Sequence, residues 1–272
     1  MKGPSGGPWR VPWAHRAAFD REVAACSPAS DPPASNLAED DLAHLPPAVR
    51  RYLRFAGVVG RPRVRRYRIL FRGALRKGPE SPWMPIVAEQ VSFVDPPARL
   101  FFAEGWMLGL PFSAFHRYVG PDATFRVKVA SLVTLVDAKG AEMNRSETVT
   151  LFNDMCLLAP ATLVDRGIAW EETGPREVRA AFANEGNTVS AVLAFDDSGA
   201  LVDFVSDDRS RTTDGRTHER CRWSTPVLGW QMLDGYRLPA RAEAVWGDPA
   251  SAFAYARFEI LDVEYDTGDE PG

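Results

Sequence analysis

The sequence predicts an α+β protein, mostly antiparallel β, in which a large curled sheet or half-open barrel holds a helix in its concave side. Three observations predict it. Apolar and polar residues alternate with period two through much of residues 64–136 and 168–265. Short polar turns rich in Gly, Pro, Asp and Ser separate the alternating runs. A single helical stretch at 146–158 interrupts them. A sheet of about a dozen strands must close or curl, and its hollow face then needs filling.

The elements follow in order. Residues 1–34 carry recurrent Pro and Gly, a short helical pattern from Ala14 to Ala25, and the run Ser27-Pro28-Ala29-Ser30-Asp31-Pro32-Pro33. That composition reads as a flexible N-terminal arm, either frayed or docked through Trp9, Trp13 and Phe19. A single β-rich domain is expected over 35–266, with a tail at 267–272. Ser35 or Asn36 is placed to cap a short helix over Leu37 to Leu45. Pro46 and Pro47 start a second, whose apolar stripe is Val49, Tyr52, Leu53 and Ala56. Gly57 suits its end. Strands are expected from Val64, at Met84 to Val94, Arg99 to Met107, Phe112 to Val119 and Phe125 to Val136. Asn144 or Ser146 then caps the helix, whose apolar positions are Val149, Phe152, Met155 and Cys156. A second strand series runs over 168–173, 177–183, 188–195, 201–207, 217–223, 236–246 and 254–265. Asp196-Asp197-Ser198-Gly199 gives a clear hairpin turn within it.

Composition excludes several classes. The net charge of −4 argues against a non-specific nucleic-acid binder, although five arginines fall between Arg61 and Arg68. The cysteines, Cys26, Cys156 and Cys221, are too few and too scattered for a disulfide framework or a structural zinc site. No long apolar run suggests a membrane span, and the N-terminus shows no apolar export core, so a cytoplasmic protein is expected. Nucleotide-binding glycine motifs and a GxSxG nucleophile elbow are missing, and no cofactor or metal is expected.

Several stretches resemble a bacterial family of uncharacterised proteins, DUF6544 (formerly DUF6920). They are Leu45-Pro46-Pro47-Ala48-Val49-Arg50-Arg51-Tyr52-Leu53, Trp83-Met84-Pro85, Glu147 to Cys156 with Leu157-Leu158-Ala159-Pro160, Phe204 to Arg209, and Trp223-Ser224-Thr225-Pro226. The resemblance covers roughly residues 45–266, and the helix is its most specific part. It implies a shared domain and brings no activity. The strand count with an inserted helix is similar to lipoprotein carriers of the LolA/LolB type, a likeness of fold that says little about function.

The sharpest constellation is Asn153-Asp154 on the helix with Asp207-Asp208-Arg209 near a strand end. Carboxylates brought close divide acid and base roles, which would make Asp154, Asp207 and Asp208 catalytic. The same residues also read as a buried network fixing helix to sheet, or as a solvated turn. Cys156 reads as a nucleophile or as core; no spacing ties it to His15, His44, His116 or His218. The stretch Phe101 to Phe112 reads as pocket wall or as core. Candidate ligand contacts are Asn153, Arg209, Trp106, Met107, Phe112, His116 and Trp223. Two functions stay open. One is a binding protein for a hydrophobic, lipid-like small molecule; the other is a small-substrate enzyme using the carboxylate cluster. A scaffold acting through the N-terminal arm is the weaker third. Oligomeric state is not legible.

Overall fold

A computed structural model describes residues 14–27, 34–165, 167–212 and 214–267. Helix α1 (Ala14–Cys26) comes first, then a 3-10 turn at Glu39–Leu42 and helix α2 (Pro47–Ala56). A six-stranded meander follows: β1 (Arg66–Leu75), β2 (Met84–Phe93), β3 (Ala98–Met107), β4 (Leu110–Val119), β5 (Asp122–Val129) and β6 (Val133–Lys139). Helix α3 (Ala141–Leu157) and the short α4 (Thr162–Asp165) lead into β7 (Ala169–Gly174), β8 (Glu177–Asn184), β9 (Asn187–Phe195) and β10 (Leu201–Ser206). The two-residue strands β11 (Ser210–Arg211), β12 (Glu219–Arg220) and β13 (Trp223–Ser224) precede β14 (Val227–Leu233), β15 (Tyr236–Trp246) and β16 (Phe253–Asp266).

Fourteen strands form one antiparallel sheet in the order β6-β5-β4-β3-β2-β1-β16-β15-β13-β10-β9-β8-β7, with β14 added on β15. β16 therefore joins the first meander to the rest. Among the described residues β6 and β7 do not pair, so the sheet curls without closing. Antiparallel hairpins need only short turns, which is why the polar breaks in the sequence were sufficient to build it.

α3 lies in the hollow of the sheet. Every residue from Ser146 to Leu157 is buried, polar ones included. Phe152 anchors it, stacked on Phe182 at 5.2 Å and meeting Phe204 edge-on at 5.4 Å. The last-turn carbonyls of a helix have no intrahelical partner. Here the Tyr52 hydroxyl of α2 donates to Cys156 O and the Tyr265 hydroxyl of β16 donates to Leu158 O. The Asn153 amide donates to Thr225 Oγ1 at 2.6 Å, and Ser210 N donates to Ser146 Oγ at 3.0 Å.

The helical pattern expected within the arm is the helix α1, docked through Phe19 on the outer face of β2 to β4. Its stripe of His15, Ala18, Phe19, Val23 and Cys26 recurs at helical spacing; Phe19 is buried between Phe102 and Phe115, each ring 6.0 Å away. Arg16 pairs with Glu89 and Arg117 with Glu22 across the same contact. Trp9 and Trp13 lie outside the described residues. The stretch expected as one strand over 125–136 is the β5–β6 hairpin. It turns at Ala130 and Ser131, both with positive φ, where neither glycine nor asparagine marks a turn. Residues 217–223 hold two short strands with different partners, and the full strand β14 went unpredicted because Pro226 and Gly229 interrupt its pattern.

Candidate functional site

Strand register decides what faces the hollow. Residues two apart share a face and paired residues share a row. One inner row is Phe71, Ala88, Ala103, Ala114, Val127 and Val136. Three consecutive alanines there leave a trough between β2 and β4. The next row inward is Ile69, Gln90, Phe101, His116, Phe125 and Ala138; beyond it come Tyr67, Ser92, Arg99, Tyr118 and Ala123. α3 does not fill the trough. A cavity of about 560 Å³ remains, walled on the far side by Trp246, Tyr255 and Phe258 of β15 and β16. Exposed Lys77 and Leu135 belong to its lining, so it reaches solvent.

The wall is mainly apolar, and its polar groups gather in one cluster. Glu147 and Asp154 sit seven residues apart on α3, two turns along one face. Arg99 bridges them, with Nε 2.5 Å from Asp154 Oδ2 and Nη1 3.2 Å from Glu147 Oε2. Gln90 closes the ring: its amide donates to Asp154 Oδ2 at 2.8 Å and its carbonyl accepts from Arg99 Nη2 at 3.2 Å. Glu147 is fully buried, with His116 Nδ1 3.4 Å and Arg209 Nη2 3.8 Å from its Oε1.

Burial alone would raise the Glu147 carboxyl, but His116, Arg99 and Arg209 outweigh it and hold the group at about 2. Asp154 goes the other way. Burial raises it from the ordinary carboxylate value despite Arg99 and Gln90, and Glu147 adds to the rise. Burial pushes the His116 imidazole down, against the pull of Glu147. The ring stacks on Phe125 at 3.8 Å.

Arg209 extends this cluster through its ion pair with Glu147. Its guanidinium lies over Trp223 at 4.4 Å and Trp246 at 5.2 Å, and Nη1 donates to the Tyr255 hydroxyl at 2.8 Å. Trp223 Nε1 donates to the same hydroxyl at 3.2 Å.

Seven of the expected site residues line this cavity: Asn153, Asp154, Arg209, Met107, Phe112, His116 and Trp223. Trp106 does not. The pleat turns it to the opposite face from Met107, where it is 47% exposed. Nor does the structure assemble the expected catalytic trio. Asp208 is held by Arg145 at 2.8 Å, by Arg220, and by Ser190 N at 2.7 Å. Asp207 is exposed, with Arg222 3.7 Å away. Neither shares a partner with Asp154 or lines the cavity. Cys156 is fully buried, its thiol pushed well up by burial and by Asp154. Among the described residues no group of three or more His, Cys, Asp or Glu is positioned to hold a metal ion, and no helix is long and apolar enough to cross a membrane.

Gln90, Arg99 and Glu147 were missed as site residues. Their signal was present as polar side chains on inner-face positions of apolar strands, and as a carboxylate two turns before Asp154. It becomes visible only once register is known.

The fold and site define a class: an open antiparallel sheet curled around a helix, with an apolar cavity between them. The chain belongs to a family of unknown function, DUF6544, which matches residues 35–258. No curated protein matches it in sequence. Among solved structures it is similar to one described as an outer membrane lipoprotein-sorting protein domain from Vibrio parahaemolyticus. That match has 10% identity and a TM-score of 0.40, covering 75% of this chain and 87% of the other. It is also similar to a LolA superfamily protein from Nitrosomonas europaea, with 9% identity and a TM-score of 0.36, covering 87% and 96%.

Proposed function

We propose that this protein binds a hydrophobic, lipid-like small molecule between α3 and the first meander. The observation that carries the reading is the 560 Å³ cavity with a mainly apolar wall, a size within the usual range of roughly 300–1,000 Å³ for small-molecule sites. A core of this chain's size would ordinarily be packed to crystal-like density, so a hollow lined by Ala103, Ala114, Phe101 and Phe258 is informative. The acid–base alternative required Asp154 to meet Asp207 or Asp208, and their partners are separate.

The test compares the natural chain with Ala114→Trp, which places an indole in the trough. Native mass spectrometry, followed by solvent extraction and lipid analysis, should find a hydrophobic molecule on the former. The variant should lose it while melting at a similar temperature. Failure to retain or take up any hydrophobic molecule would overturn the proposal.

A further inference from the structure

The geometry points to an anionic amphiphile as the guest: one apolar chain ending in an oxyanion that the free edge of Arg209 receives. This rests on the ligand-binding role above and names the chemistry of its ligand. A guanidinium presents two parallel N–H donors along its Nε/Nη2 edge, the fork that suits two oxygens of a carboxylate or phosphate. In Arg209 that edge makes no hydrogen bond, although it is ion-paired with Glu147. Nη1 is committed to Tyr255, Nε is buried with no hydrogen-bond partner, and Nη2 lies 3.8 Å from Glu147 Oε1, beyond hydrogen-bond reach.

Flexibility does not account for this, because the side chain is only 11% exposed and the rings of Trp223 and Trp246 hold its plane. Buried donors are nearly always paired, and an orphan beside an open cavity is a group arranged for something absent. The other buried arginine shows the contrast. Arg99 has Asp154, Glu147 and Gln90 around it and offers nothing further.

Charge supports the same conclusion. The chain carries a net −4, yet its cavity is lined by six Lys and Arg side chains against three Asp and Glu. Low-dielectric walls focus that excess inward and favour an anion over a neutral or cationic head. The apolar remainder of the guest then lies along Ala103 and Ala114. A fatty carboxylate and an alkyl phosphate share this chemistry.

The experiment uses the full chain stripped of lipid, titrated with palmitate, hexadecyl phosphate and methyl palmitate. At least one oxyanion should bind about ten-fold or more tightly than the ester, as expected for charge-assisted hydrogen bonds formed in a dry site. Arg209→Gln should erase that preference, so that the variant binds both oxyanions no more tightly than it binds methyl palmitate. Arg209→Lys, which keeps the charge and loses the fork, should retain only part of it. The ratio of palmitate to hexadecyl phosphate identifies the head group. Equal binding of ester and oxyanions to the natural chain overturns this inference alone, as does a preference that survives Arg209→Gln. If none of the three binds, the ligand-binding role falls as well. Should the Gln variant fail to fold, the natural chain's own ester-to-oxyanion ratio and the Lys variant still decide.

Discussion

Arg99 and Asp154 stand 55 positions apart in the chain and meet with Nε 2.5 Å from Oδ2, tying the floor of the sheet to the helix in its hollow. Removing one member of a buried ion pair leaves the other charge stranded, at a cost of about 3–5 kcal/mol. Asp154→Leu should therefore lose about that much in urea denaturation. Adding Arg99→Met should not recover it, because Arg99 also pairs with the fully buried Glu147, which would then lose a cation. A single-variant loss below about 1 kcal/mol would mean that water compensates the pair.

Glu147 gives stability a specific acid limb. Its folded value of about 2 lies below that of an unfolded glutamate, near 4.3. A depressed carboxyl contributes stability that is fully present above the unfolded value and is lost as pH falls through the folded one. The contribution at neutral pH is on the order of 3 kcal/mol. Unfolding free energies of the natural chain and Glu147→Gln, followed from pH 7 to pH 2, should begin to converge below the unfolded value near 4.3 and meet only as pH approaches about 2.

Asp203 behaves with the opposite sign. Burial raises its carboxyl to about 6, outweighing the backbone N–H groups of Phe204 and Thr225 and the charge of Arg222, and Oδ1 has no hydrogen-bond partner. Its proton stabilises the folded state at low pH, and that benefit disappears as pH rises through 6. Asp203→Asn should thus be more stable than the natural chain at pH 7.5 and equal to it near pH 3.5. A variant less stable at both values would refute the assignment.

Phe152 fills the contact between α3 and strands β8 and β10. Phe152→Ala should cost about 3–5 kcal/mol, with the loss read from the denaturation midpoint. Because Phe152 belongs to the core and does not line the cavity, residual folded protein at low temperature should still take up ligand.

Cys156 should resist thiol reagents in the native state. Its thiol is fully buried and its proton is held tightly, whereas Cys26 and Cys221 are partly exposed. Mass spectrometry after brief alkylation should find label on Cys26 and Cys221 only, with Cys156 labelled after denaturant is added.

The architecture was legible because alternation is a local property. Tyr67, Ile69 and Phe71 announce β1 without knowledge of its partners, and the stripe through Val149 and Phe152 announces α3. Its start at Ala141 was not legible, since Glu142 and Asn144 break the apolar pattern before the buried stretch begins. Nor was the β5–β6 turn, because Ala130 and Ser131 are residues that seldom adopt positive φ. The site depends on which strands become neighbours. Asp207-Asp208-Arg209 looks like one unit in sequence, yet only Arg209 of the three lines the cavity; Gln90, Arg99 and Glu147 belong together only after two strands and a helix have packed. Trp106 and Met107 are adjacent in the chain and lie on opposite sides of the sheet.

Docking of α1 has a practical corollary for anyone handling the protein. Phe93, Leu100, Phe102 and Phe115 are dry because Phe19 and its neighbours sit on them, and those neighbours precede the family-matched segment at 35–258. Expression limits drawn at residue 35 would strip that cover and leave a greasy patch on the convex surface, which invites self-association. Aggregation of such a shortened product would report the missing shield and say nothing about whether the remaining strands can fold.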